Sequence, residues 1–338
     1  MSAVLIIAPS WVGDMVMAQS LFKLLKTQDP QRSIDVLAPG WTLSLLERMP
    51  EVRTAINIPL GHGELKLGVR RRLGISLRDG NYAQAIVLPN SLKSALLPFW
   101  ARIPRRTGYV GETRQWLLSD CRRLDTQRLP MTVQRFVALG LPDGAPLPET
   151  LPLPQLVSKE GDRQAAAKRL RVVNKYKPVL ALCPGAEFGP AKQWPEEYYA
   201  RVAQTWLDKD WHVWLFGSAN DAAVCGRINA LTGDRCGNLA GRTSLAEAID
   251  LLAMAAFVVS NDSGLMHVAA ALQRPMVAIF GSSDPEFTPP LSDTAQVERL
   301  GLDCSPCFKR ECPLVHLKCL KELAPERIIA AVEEVMKR

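Results

Sequence analysis

At 338 residues the chain is longer than most single hydrophobic cores, so two domains are expected. With 47% hydrophobic and 22% charged residues it has the composition of an ordinary soluble protein, and no apolar run reaches the ~18 residues of a membrane span. The formal net charge of +7 falls wholly in the first 150 residues, where 19 Lys+Arg face 12 Asp+Glu, while the remaining 22 of each cancel. That imbalance predicts an anionic partner for the N-terminal half: a phosphorylated substrate, a membrane surface or nucleic acid. The chain enters an apolar strand at once, without a basic leader or a cleavable pattern, which predicts a cytoplasmic protein.

In chain order, residues 3–8 read as a strand, Pro9 to Asp14 as a turn and 15–27 as a helix. Strands follow at 34–37, 55–58, 82–88 and 107–110, with helices at 41–48 and 92–101. This alternation predicts an α/β fold with a parallel sheet covered on both faces. Residues 151–156 are Pro-rich and read as a linker, after which the pattern restarts. Helices are expected at 160–170, 195–208, 219–232 and 244–254. Strands are expected at 178–182, 212–216, 236–239, 257–260 and 276–280. Pro325 to Lys337 reads as a last helix with an acid near its start and bases at its end, as the helix dipole favours. The expected organisation is two doubly wound domains, 1–155 and 156–322, with a terminal helix, 323–338, packing back on the first.

The strand-end turns carry the polar chemistry. Ligands in open α/β sheets bind outside the carboxyl ends of the strands. At Ser260 to Gly264 a strand passes through a polar turn into a helix, whose free N–H groups suit a diphosphate. Asn261, Asp262 and Ser263 offer side chains there, Gly264 permits close approach, and His267 follows about one turn later. The plain alternative is a well-capped helix. The first turn, Ser10-Trp11-Val12-Gly13-Asp14, lacks the G-x-G-x-x-G fingerprint, which argues against a nicotinamide-dependent dehydrogenase. Asp14 at that helix mouth reads as a cap or a general base. In Pro184 to Pro195, Lys192 precedes a helix start, where the dipole does not favour a cation; a phosphate would explain it. The turns at Gly217 and at Gly241 to Ser244 could touch a ribose or base.

Cys304, Cys307, Cys312 and Cys319, with His316 among them, could hold zinc or an iron–sulfur cluster. Static disulfides are not expected in a cytosolic protein. The plain alternative is a set of reduced thiols packing a small lobe.

Together these segments resemble a known family. Pro9-Ser10-Trp11-Val12-Gly13-Asp14-Met15, Leu60-Gly61-His62-Gly63, Leu88 to Ala95, Cys183 to Lys192 and Asn261 to Ala269 are similar to the ADP-heptose:lipopolysaccharide heptosyltransferases of glycosyltransferase family 9, most of all to the type II members. The resemblance implies a GT-B fold: two Rossmann-like domains facing a cleft, acceptor in the first and donor in the second. It implies inverting transfer of L-glycero-D-manno-heptose from ADP-heptose to the first heptose of the lipid A–Kdo core, at the inner face of the inner membrane. No cofactor is implied for catalysis, and no nucleic-acid partner.

By the same resemblance Asp14 is the general base and Lys192 contacts the donor phosphates. Asp262, Ser263, Gly264 and His267 form the donor turn, Thr243 lies near the adenosine, and Glu187 and Gly217 complete the donor side. Ser10, Trp11, Gly13, Asn90 and Lys93 fall in the acceptor-domain motifs. Two features depart from the family pattern: Glu187 and Phe188 replace threonines of the type I members, and the Cys304–Cys319 segment is absent from the best-known enterobacterial members. The competing readings are a GT-B transferase with another nucleotide-sugar donor and a non-catalytic binder of anionic ligands.

Overall fold

The computed structural model describes residues 3–61, 64–172 and 177–338. His62 and Gly63 of the Leu60–Gly63 motif lie outside them. The chain divides into two compact units, Met1–Leu156 and Val157–Arg338.

The first unit runs β1 (Ala3–Ile7), α1 (Val12–Gln28), β2 (Ser33–Pro39), α2 (Leu43–Leu46), β3 (Thr54–Ile58), α3 (Leu67–Ser76), β4 (Tyr82–Val87), α4 (Leu92–Trp100), β5 (Arg105–Tyr109), β6 (Asp120–Arg122) and α5 (Thr132–Leu139). Its six strands are ordered β3-β2-β1-β4-β5-β6, all parallel. β1, Ala-Val-Leu-Ile-Ile, is buried throughout, as a central parallel strand covered on both faces must be. α1 turns Met15, Ala18, Leu21, Phe22 and Leu25 inward, and packs along α5.

The second unit runs α6 (Glu160–Leu170), β7 (Val179–Cys183), α7 (Glu196–Asp208), β8 (His212–Leu215), α8 (Ala222–Leu231), β9 (Gly237–Asn238), α9 (Leu245–Leu252), β10 (Phe257–Asn261), α10 (Gly264–Ala271), β11 (Met276–Ile279), β12 (Ala295–Glu298), α11 (Lys318–Lys321) and α12 (Pro325–Val335). Its order, β12-β11-β10-β7-β8-β9, repeats the first topology, again all parallel. Each sheet reverses its winding once, between β1 and β4 and between β7 and β10. In doubly wound sheets that switch point opens the ligand crevice.

The α/β expectation holds for both units. The terminal helix is a correction: α12 belongs to the second unit, where Ile328, Ala331, Val332 and Val335 join the core formed by α7 and the sheet. Its apolar spacing gives one continuous stripe, and β11, β12 and α7 supply the surface that covers it. α3, β6, α5 and β12 lie outside the set of elements expected from the sequence.

Candidate active site

The residues expected to act sit on the turns that leave the carboxyl ends of the strands. In the second unit those turns follow β7 (Glu187, Lys192), β8 (Gly217), β9 (Thr243) and β10 (Asp262 to His267). Since β10, β7, β8 and β9 are consecutive neighbours, the turns form one row along the sheet edge. The β8–β9 ladder extends into its turns, with Leu239 N donating to Leu215 O and Gly241 N to Gly217 O.

Lys192 closes a single 3₁₀ turn, Pro190–Lys192, four residues before α7 begins, so it stands on the loop and not in the helix. Its Nζ lies 2.5 Å from Asp262 Oδ2. Ser283, on the turn after β11, donates from Oγ to that same oxygen at 2.5 Å. Asp262 is 5% exposed, and Lys192 also lies 5.0 Å from the Phe188 ring. An ammonium has three donors, so one spent on Asp262 leaves two for a ligand. Ser283 is the member of this group that sequence reasoning missed; the signal was a further strand followed by Gly281-Ser282-Ser283.

His267 is buried in α10, and its pKa falls to about 4, chiefly by desolvation and further by the charge of Lys192, with Asp262 opposing. It is therefore a neutral imidazole at neutral pH. Ser263 takes the N-cap position of α10 with extended backbone but makes no side-chain cap bond. The capping alternative is thus not realised there. Asn261 is different: its amide donates to Pro184 O at 2.6 Å, and its Oδ1 accepts from Tyr199 Oη at 2.9 Å and Trp194 N at 3.3 Å. Fully buried, it staples β10 to both ends of the Lys192 loop, so the sequence expectation of a ligand contact is corrected to a structural one. Glu187 is exposed, and both its oxygens accept from Asn220 Nδ2 at 3.3 Å. Thr243 is half-buried in the turn before α9. Asp221 underlies the loops: its carboxylate accepts from Ser218 N and Oγ at 2.8 Å, and a Cβ at Gly185 would meet its Cγ at 2.4 Å and one at Gly217 its Cβ at 2.6 Å.

In the first unit the site turns follow β1 (Ser10, Trp11, Gly13, Asp14) and β4 (Asn90, Lys93), adjacent strands at the switch point. Asp14 lies half-buried in the first turn of α1, and Trp11 before it is 47% exposed. Ser10 O accepts from Trp41 Nε1 at 3.2 Å. Lys93 is half-buried on the first turn of α4.

The β4 turn is held by a residue counted in the sequence only as part of the basic half. Arg114 is fully buried, and its guanidinium donates to the carbonyls of Tyr109, Pro89 and Ser91, to Ser94 Oγ and to Asn90 Oδ1. Burial lowers its pKa to about 10. Asn90 is thus oriented from below, and Glu112 accepts from Leu92 N at the start of α4.

The four C-terminal cysteines come together. Cys304, Cys307, Cys312 and Cys319 line one small cavity with His316, all as free thiols. Among the described residues, no three His, Cys, Asp or Glu side chains stand ready-made around a metal.

The chain is similar to known proteins over nearly all of its length. The glycosyltransferase family 9 (heptosyltransferase) profile matches residues 70–318. Lipopolysaccharide heptosyltransferase 2 of Salmonella typhimurium is 46% identical, with 98% of each chain covered. Lipooligosaccharide heptosyltransferase 2 of Haemophilus influenzae is 48% identical over 88% of each. The solved structure of the Escherichia coli ADP-heptose lps heptosyltransferase II superimposes with a TM-score of 0.89 at 43% identity, covering 100% of this chain and 99% of that one.

Proposed function

Since the chain belongs to glycosyltransferase family 9 (heptosyltransferase), we propose that it moves L-glycero-D-manno-heptose from ADP-heptose to the first heptose of the lipopolysaccharide inner core, with inversion. The observation that carries the donor half is the Lys192 ammonium, held by Asp262 and Ser283 beside the start of α10.

In this reading Asp14 takes the proton from the acceptor hydroxyl as its oxygen attacks the anomeric carbon. The bond from that carbon to the β-phosphate oxygen breaks, and ADP leaves with the added negative charge. Lys192 and the N–H groups opening α10 stabilise that charge as it develops. Asp262 does not face the diphosphate itself, because two anions would repel; it fixes the direction of Lys192. Neutral His267 serves as a hydrogen-bonding partner that adds no charge. Thr243, Gly217, Glu187, Ser263 and Gly264 border the nucleotide and sugar. The cation is supplied by a side chain, so turnover needs no added metal ion.

The acceptor is a lipid A–Kdo-heptose presented at the inner face of the inner membrane, met by Ser10, Trp11, Gly13, Asn90 and Lys93. The protein works as a peripheral, cytoplasmic enzyme. Among the described residues no helix is long and apolar enough to cross a membrane. Supporting a surface encounter, Leu65 and Leu67 are about half exposed beside the exposed Arg71 and Arg72 of α3.

The test is transfer from ADP-heptose, and from UDP- and GDP-sugars, to a heptose-bearing core acceptor. Turnover confined to ADP-heptose is expected. Equal or faster turnover with another nucleotide sugar would overturn the donor assignment.

A further inference from the structure

The cysteine lobe plays no part in the transfer chemistry, and its construction calls for something else to hold it. Residues 299–317, between β12 and α11, form neither helix nor strand. Loops beyond about 12–15 residues without structure of their own are uncommon in a compact domain. From 301 to 319 no residue is buried, and Phe308, Leu314 and Val315 are exposed, so the lobe has no apolar core. Phe308, Val315 and Leu317 also hold left-handed backbone angles, φ 54°, 61° and 52°. Such angles in non-glycine residues persist only where surroundings over-determine them. Despite this, the lobe is fastened to the donor loops. Cys307 N and Phe308 N donate to Ser282 O, and Ala191 N donates to Arg310 O. Arg310 Nε donates to Phe188 O at 2.7 Å, and Ser305 Oγ donates to Gly281 O.

The four cysteines and His316 line the cavity together with Ala191 and Ser282 of the donor-side turns. Ser282 is 1% exposed and its Oγ has no hydrogen-bond partner among the described residues. A buried hydroxyl without an acceptor is costly, and a metal-bound thiolate is such an acceptor. We propose that Cys304, Cys307, Cys312 and Cys319 bind one zinc ion as four thiolates in this cavity, with Ser282 donating to one of the sulfurs, and that the ion locks the lobe against the Lys192 and Ser283 turns.

The sulfurs converge on the ion when it enters, to Zn–S distances of about 2.3 Å. The thiols give their protons to solvent and no electrons move. Lys309, Arg310, Lys318 and Lys321 lie within the same stretch of chain and offset the charge of the four thiolates. Zinc suits the site better than an iron–sulfur cluster, because sugar transfer exchanges no electrons and the spacing begins with a Cys-x-x-Cys pair. The effect on donor binding rests on the donor-site reading above; the metal content does not.

The full chain, purified under reducing conditions from zinc-supplemented cells, is expected to carry about one zinc per chain by mass spectrometry. Cys304→Ser/Cys307→Ser carries none, while Cys121→Ser, in the other unit, keeps it. Cobalt added to metal-stripped protein gives the absorption of a tetrahedral thiolate site, a readout on wild-type protein that survives poor folding of the double variant. Stripping also weakens ADP binding several-fold in calorimetry, and zinc restores it. Metal-free protein without cobalt–thiolate absorption, iron with sulfide in place of zinc, or a Cys304–Cys307 disulfide in freshly alkylated protein would each overturn the site. Full zinc with unchanged ADP affinity on stripping would overturn the coupling alone.

Discussion

The proposed mechanism gives Lys192 and Asp14 separable duties, and substitution can tell them apart. Asp14→Asn keeps the shape of the α1 mouth but removes the proposed base. A fall in kcat of about 10²-fold or more is expected, with donor binding retained in calorimetry. Lys192→Ala is expected to cost about 2–4 kcal/mol of transition-state stabilisation, read as a loss in kcat/KM. Near-normal turnover in the first variant, or unchanged kcat/KM in the second, would remove the corresponding role. His267 makes a different prediction. Its native pKa is about 4, against roughly 6.5 unfolded. Between those values the unfolded chain binds the extra proton, so its contribution is complete above about pH 6.5 and is lost as pH falls. Urea unfolding across that window should show the decline, at most about 1.4 kcal/mol per pH unit, and His267→Gln should flatten it. At this scale the sequence pointed to Lys192 and Asp262, each on a turn following an apolar strand, and to His267 on the helix that follows the second turn. Asn261 and Ser283 were not readable in their actual roles. Their partners are Pro184, Trp194 and Tyr199 for one and a residue 21 positions upstream for the other, and only the folded sheet brings them together.

The elements that place these residues were legible where their period was strong. Buried parallel strands such as β1 and β10 read as apolar runs, and α1 and α12 as stripes. α3 carries Arg70, Arg71 and Arg72 in its middle, with only Arg70 and Gly74 buried, so its helical period is faint. β6 has three residues and finds its place by pairing with β5. α5 is the exception: Val133, Phe136 and Val137 have helical spacing and all are buried, so its signal was present in the chain. The β4–α4 turn shows what an element needs from outside itself. Arg114→Met would leave the Tyr109 carbonyl without its two guanidinium donors, at about 1–3 kcal/mol, while Pro89 O keeps Ser94 Oγ. Chemical denaturation should show that loss, and KM for the acceptor should rise more than KM for the donor. A stable variant with both KM values unchanged would show that Arg114 does not position Asn90.

For the molecule as a whole, the charge distribution is the feature with the widest reach. The basic excess in the first 150 residues and the exposed Leu65, Leu67, Arg71 and Arg72 suit an anionic lipid surface. The full chain should co-sediment with anionic phospholipid vesicles at low salt and leave them at about 0.5 M salt, where screening is nearly complete. Arg71→Glu/Arg72→Glu should weaken that association with little effect on ADP binding. Equal binding to neutral vesicles would argue against an electrostatic attachment. Two domains, their boundary near residue 156 and their doubly wound class were all legible in the chain, from the restart of the strand–helix alternation after a Pro-rich stretch. The allegiance of α12 was not, since an amphipathic stripe says that a helix packs without naming its neighbour.

Asp221 lies under two loops at once: its carboxylate fills the space where Gly185 would carry a methyl group, and its Cβ fills that space at Gly217. The three positions therefore cannot drift independently. An alanine at Gly185 meets the carboxylate, so the order of substitutions matters there: Asp221 must shrink before Gly185 can grow, whereas at Gly217 the obstruction is the Asp221 Cβ, which every residue but glycine retains. Shrinking it first strips Ser218 N and Oγ of their acceptor. Any attempt to enlarge Gly185, in the laboratory or over generations, must pass through that less stable intermediate or change two positions together.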